Sequence, residues 1–241
     1  MHDLLKWVYE TAIPFAFGPQ NASAAAIRNG TCSVVQVGAD AFLLTAEHVL
    51  TPALRATETE PGTMCVIGRD VIELRGRQTF RSTALDLATI PLTRKHVVSL
   101  EGDGRRIIHL NDWPPRLAER DDPVIFGGYP RSIRALESWD VGEVNALVSA
   151  GVVDSVSPDE NWFTSYGDPA DMTQTDVYTG IDEDLIQRYG GISGGPVFRA
   201  MGKTVDTLEL VGVVAEGGAT LGHLVRCARR LDVIDVRGSI V

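Results

Sequence analysis

The chain has 241 residues, 44% of them apolar and 22% charged, which is enough to bury a large core and excludes a disordered chain or a small stapled scaffold. Thirty-two Asp and Glu against 22 Lys and Arg give a net charge of −10. This argues against a protein whose main task is to grip nucleic acid or an anionic membrane face, and it points to neutral or basic partners.

The opening MHDLLKWVYETAIPFAFG carries Asp3, Lys6 and Glu10 within its apolar run. It lacks the basic-then-apolar order of a secretory signal, so the expected location is the cytoplasm. A short helix is predicted around Leu4 to Thr11, stopped before Pro14, and a small-residue stretch NASAAAIRNG follows. Residues 1–30 are set apart as an N-terminal extension with no chemistry of their own. From Thr31 the texture changes to TCSVVQVG, AFLLTA, MCVIG, VIELRG, LATIPL, PVIFGGYP, VGEVNALVSAG, GPVF, LELVGVVAEGG and HLVRCA. These runs are short, rich in β-branched residues and bounded by Gly, Asp or Pro, which is strand punctuation. No helical pattern separates them, so an all-β, mostly antiparallel barrel or sandwich is predicted rather than a parallel sheet. NDWPPRLAERDD, near residue 115, concentrates Pro and charge and divides the remainder into halves 31–115 and 116–241. No run reaches the roughly 18 uninterrupted apolar residues of a membrane-spanning helix.

Cys32, Cys65 and Cys227 lie far apart with no C-x-x-C pair. They read as buried thiols, and neither a metal nor another cofactor is expected. Charge is unevenly spread: from Ala135 to Gln187 the chain has 12 acids and no Lys or Arg, so this stretch carries the whole negative balance. It is either a solvated loop surface or an electrostatic lip for a basic partner.

The strongest local signal is Gly191-Ile192-Ser193-Gly194-Gly195-Pro196. A serine ringed by glycines suits a nucleophile, because the backbone must turn tightly and admit substrate closely. Such a serine needs a base, and among the five histidines His48 is best placed, in Thr45-Ala46-Glu47-His48-Val49 at the end of a strand-like run. A carboxylate must in turn orient the imidazole. Asp86, flanked by apolar residues in Ala84-Leu85-Asp86-Leu87-Ala88, is the candidate.

In the order His48, Asp86, Ser193 these segments resemble the T-A-x-H, D-[IL]-A and G-x-S-G-G-P motifs of trypsin-like serine peptidases of the chymotrypsin fold, bacterial cytoplasmic type. DDPVIFGGYP and LVGVVAEGG add weaker similarity, and the likeness spans roughly residues 31 to 235. It implies two six-stranded antiparallel β-barrels, 31–115 with His48 and Asp86 and 116–241 with Ser193, plus short N- and C-terminal helical segments. It further implies a serine endopeptidase in which Ser193 attacks the peptide carbonyl, His48 acts as general base and then acid, and Asp86 orients His48. The N–H groups of Gly191 and Ser193 would form the oxyanion hole. By position, Gln187 would sit at the specificity-pocket base, Ala215, Glu216 and Gly217 along the substrate strand, and Gly222 at the pocket border. The expected partner is a protein or peptide substrate with a mild preference for basic or polar sequences, and the resemblance implies that it can be one dedicated protein.

Two departures stand out: Val49 rather than Cys follows His48, and Ile192 replaces the Asp that binds a new N-terminus in zymogen-derived relatives. Activation by that ion pair is not expected. G-I-S-G-G also satisfies the nucleophile elbow of α/β-hydrolases, with Asp206 and His223 downstream, but Gly194-Gly195-Pro196 makes a poor first helical turn there. The alternative from another class is a latent or non-catalytic protease-fold module that binds a peptide or partner without cutting it.

Overall fold

A computed structural model of the chain describes residues 2–23, 26–130, 134–136, 142–144, 146–166, 173–174, 191–201, 207–217 and 224–241. In chain order these form α1 (His2–Thr11), β1 (Ile13–Pro19), β2 (Arg28–Val37), β3 (Asp40–Thr45), α2 (Glu47–Thr59), β4 (Thr63–Ile67), β5 (Asp70–Val71), β6 (Phe80–Ser82), β7 (Leu87–Leu92), α3 (Arg94–Gly102) and β8 (Ile108–Leu110). The second half comprises β9 (Pro123–Gly128), β10 (Arg134–Leu136), β11 (Gly142–Val144), β12 (Leu147–Val156), β13 (Trp162–Tyr166), β14 (Thr173–Gln174), β15 (Pro196–Met201), β16 (Thr207–Gly217) and β17 (Leu224–Ala228), followed by a 3-10 turn at Leu231–Val233.

The continuous apolar runs form strands buried on both faces, and period-two alternation assigns each face a different core. On β3, Leu43 joins the core of the first sheet, while Phe42 and Leu44 point the other way into a seam between the halves. On β7, Ala88 and Ile90 face inward and Leu87 faces the seam. From the second half, Ile125, Phe198, Leu210, Val213 and Ala228 meet them there.

The second sheet runs β13-β17-β16-β15-β9-β12 and returns to β13 through a further pairing, closing a six-stranded antiparallel barrel. Its interior holds Phe126, Phe163, Val197, Val211 and Cys227. The first sheet runs β5-β4-β1-β2-β3-β7-β6, with β8 added parallel to β2. Its ladder stays open between β5 and β6, whereas two closed barrels were expected. Those strands have only two and three residues. Ile72 and Leu74 from their connection, Val49, Leu50 and Ala53 from α2, and Val97 and Leu100 from α3 fill the core instead.

The described elements within residues 1–30 touch both halves. β1 pairs with β2 and β4 in the first sheet, and α1 lies on the second barrel. There a Cβ on Gly127 would come within 2.8 Å of Val8, and the Trp7 ring meets Phe198 edge-on at 4.5 Å. The last residues cross in the opposite direction. Gly238 sits on the Phe42 ring, leaving no room for a Cβ, and its carbonyl accepts a hydrogen bond from the Thr89 hydroxyl. The Trp113 indole N–H donates to the Ile234 carbonyl. Among the described residues no helix is long and apolar enough to cross a membrane.

Candidate active site

β3 ends at Thr45, Ala46 keeps extended geometry as the N-cap of α2, and His48 is the second residue of that helix. Thr45 is paired with Ala88 on β7, so the turn that enters β7 brings Asp86 beside His48. Asp86 has φ 49°, the left-handed region that Asp tolerates better than most residues. Its carboxylate accepts the His48 backbone N–H through Oδ1 at 2.9 Å and faces Nδ1 through Oδ2 at 2.7 Å. The Glu47 N–H donates to the Asp86 carbonyl at 3.2 Å. A carboxylate only accepts, so Nδ1 carries the proton and Nε2 is left with its lone pair. The hydrogen bond to Asp86 raises the His48 pKa above its ordinary value against the opposing effect of burial, and the negative fields of Asp86, Glu47 and Glu216 add to the rise.

Ser193 lies in the turn before β15, and glycine geometry builds that turn. Gly191 has φ 111° and Gly194 φ 88°, values that favour glycine. A Cβ on Gly194 would stand 2.0 Å from the Thr31 carbonyl oxygen, and one on Gly195 would stand 2.0 Å from the Gly127 carbonyl oxygen. The Gly194 N–H donates to Val214 at 2.7 Å, the Gly195 N–H to Ile192 at 2.9 Å, and the Val214 N–H to Gly195 at 2.8 Å. The loop is therefore stitched to β16, along which Ala215, Glu216 and Gly217 follow. His48, Asp86, Ser193, Ala215 and Glu216 share one cleft of about 540 Å³ with Trp162 and Arg226. Among the described residues no hydrogen bond joins Ser193 to His48.

The sequence matches the trypsin-like peptidase domain over residues 30–205. The chain belongs to the trypsin-like peptidase family. It is a serine endopeptidase, a hydrolase whose substrates are proteins or peptides. Three solved structures align with this peptidase along most of its length. A thermostable serine protease, AL20, from an extremophilic microorganism is 13% identical with TM-score 0.49, covering 91% of each chain. The protease Anisep from Arthrobacter nicotinovorans is 13% identical with TM-score 0.49, over 91% of this chain and 90% of its own. The active form of a protease from M. tuberculosis is 12% identical with TM-score 0.46, over 95% of this chain and 82% of its own. No curated protein matches.

Of the residues singled out in the peptidase sequence, the cleft gathers His48, Asp86, Ser193, Ala215 and Glu216. Gly191 lies in the serine turn, and Gly217 ends β16 opposite Val225. Gln187 and Gly222 lie outside the described residues, as do Asp206, His223 and most of the acidic stretch. Ser193 is followed by β15 rather than a helix, which removes the α/β-hydrolase elbow. His96 caps α3 by bonding Thr93. All three cysteines are buried free thiols, and burial pushes each pKa up, that of Cys65 to about 12.

Sequence reasoning missed Trp162 and Arg226, whose guanidinium lies 3.9 Å from the Trp162 ring centroid. It also missed Thr31, which touches the serine loop at more than one point. The sites of these three residues carry no motif. Only the pairing of β17 with β13 and β16 puts Arg226 opposite Thr164 and Glu216.

Proposed function

We propose that this peptidase works through His48, Asp86 and Ser193. The observation that carries the reading is the two-point grip of the Asp86 carboxylate on His48 in the cleft that also holds Ser193. Nε2 of His48 takes the proton as the Ser193 Oγ attacks the scissile carbonyl. The imidazolium, stabilised by Asp86, then returns that proton to the departing amine, leaving an acyl-enzyme on Ser193. Water, activated by the same imidazole, attacks the acyl carbonyl, and the collapse of that adduct restores Ser193. The N–H groups of Gly191 and Ser193 stabilise the oxyanion in both steps. No metal enters this scheme.

Substrate backbone pairs with Ala215, Glu216 and Gly217, with Gln187 and Gly222 assigned to the pocket. Glu216 and the acidic stretch 135–187 favour basic or polar residues around the cut, on a restricted protein substrate in the cytoplasm. Ile192 is buried in the core of the second barrel, which supports control without a zymogen ion pair.

The test is fluorophosphonate labelling of the purified protein, read by intact mass beside Ser193→Ala and His48→Ala. Wild type alone should gain one adduct. Equal labelling of Ser193→Ala would overturn the assignment, and a folded wild type that binds peptide without labelling or cutting would make the fold a binding module. A peptide-library profile dominated by acidic residues around the cut would defeat the substrate preference.

A further inference from the structure

Thr31, on β2 of the first sheet, is fully buried and uses every polar group it has. Its N–H donates to the Ser193 carbonyl at 2.9 Å. Its carbonyl accepts the Thr45 hydroxyl at 2.7 Å. Its own hydroxyl donates to the Gly191 carbonyl at 2.7 Å and accepts the Tyr129 N–H at 2.9 Å. One side chain from the half that carries His48 and Asp86 thus holds the serine loop of the other half, and the same residue binds the carbonyls on both sides of Ile192.

We propose that the Thr31 hydroxyl is a positioning residue for the nucleophile loop, fixing the Gly191–Ile192 peptide and with it the flanking Gly191 and Ser193 N–H groups. This rests on the reading of Ser193 as nucleophile. The backbone of Gly191, at φ 111°, has no Cβ to restrict rotation about its own bonds, so an external hydrogen bond must set the direction of its carbonyl. The packing around Thr31 is close. A Cβ on Gly128 would lie 2.8 Å from the Thr31 hydroxyl oxygen, and one on Gly194 would lie 2.0 Å from the Thr31 carbonyl oxygen. A hydroxyl carries one donor and two acceptor sites, so it serves the Gly191 carbonyl and the Tyr129 N–H together. A methyl in its place strands both.

The test compares Thr31→Val, which keeps the shape and loses the hydroxyl, with Thr31→Ser, which keeps the hydroxyl. Each is assayed for ester turnover and for inhibition by a peptide boronate that mimics the tetrahedral adduct. The carbonyl 13C resonance of Gly191 is read in a Ser193→Ala background, where no activity is needed. Loss of one oxyanion donor costs about 100- to 1000-fold in kcat, and a misdirected loop should cost less. Thr31→Val should lose about 10- to 100-fold in kcat with KM within about twofold. Boronate affinity should fall in proportion to kcat/KM, and the Gly191 resonance should move. Thr31→Ser should stay within about threefold of wild type.

Unchanged kcat in Thr31→Val, equal losses in both variants, or an unmoved Gly191 resonance would each overturn the proposal. If Thr31→Val does not fold, Thr31→Ala carries the same comparison. Full turnover by Ser193→Ala would instead sink the nucleophile assignment, while the Gly191 resonance still decides whether Thr31 holds the loop.

Discussion

His48 is protonated more readily than a free imidazole, first because of its hydrogen bond to Asp86 and then through the fields of Asp86, Glu47 and Glu216. A general base must be neutral, so activity should disappear as pH falls through this raised value. The acid limb of kcat/KM for ester hydrolysis should therefore lie above the ordinary imidazole pKa. Asp86→Asn should move that limb down and lower kcat by about 10³- to 10⁴-fold, because the tautomer is no longer set. Glu216→Gln should shift it down by less, since its field is the weakest of the causes; a limb that moves up would contradict this account. The same shift stabilises the folded state fully below the ordinary imidazole value and fades as pH rises through the raised one. The melting-temperature advantage of wild type over His48→Gln should shrink across that window. At Gly194 the expectation is steric: Gly194→Ala meets the Thr31 carbonyl in a backbone conformation that L-residues avoid. It should cost at least about 2 kcal/mol in denaturant unfolding and abolish fluorophosphonate labelling. TAEHV, ALDLA and GISGGP could be picked out as candidates because each proposed role calls for a particular residue type within a few positions of a strand end or a glycine turn. Thr31 could not, since its contacts are with Gly191, Ser193 and Tyr129, all distant in sequence.

Among the elements, strands were read well because β-branched runs end at Gly, Pro or Asp. The helices inside the first half escaped. α2 has Pro52 within it and two threonines among its last three residues, and its stability comes from burying Val49, Leu50 and Ala53 rather than from intrinsic propensity. α1 was anticipated as a helix, but its partner was not visible. The Trp7 edge against Phe198 and the close approach of Val8 to Gly127 exist only across the fold. Trp7→Ala should destabilise the protein by about 3 kcal/mol and leave ester turnover intact at temperatures where the variant stays folded. Loss of turnover in the folded variant would mean that α1 contributes to the site as well as to stability.

For the whole molecule, the decisive feature is that the two sheets share a seam. Val8, Val35, Phe42, Leu44, Phe198, Val213 and Ile234 belong to one buried cluster, so the candidate cleft lies between halves that share a buried seam in addition to their own cores. Heat unfolding should show a single cooperative transition by fluorescence and far-UV dichroism alike. Truncation after Arg230 removes Leu231 and Ile234 and uncovers Phe42, and it should lower the midpoint and separate the two probes. Coincident, unshifted curves would show that the tail is not part of the cooperative unit. The crossing of both termini to the opposite half was not legible in the sequence, because nothing local in a short terminal segment says which surface it covers. The open ladder of the first sheet bears on life in concentrated solution. A closed barrel offers a stranger no backbone to copy, whereas an open one presents two rows of free peptide groups. Here those rows belong to strands of two and three residues that carry Asp70 and Arg81. Two molecules meeting edge to edge can therefore exchange too few main-chain hydrogen bonds to stay together, and brevity does for this half what closure does for the other.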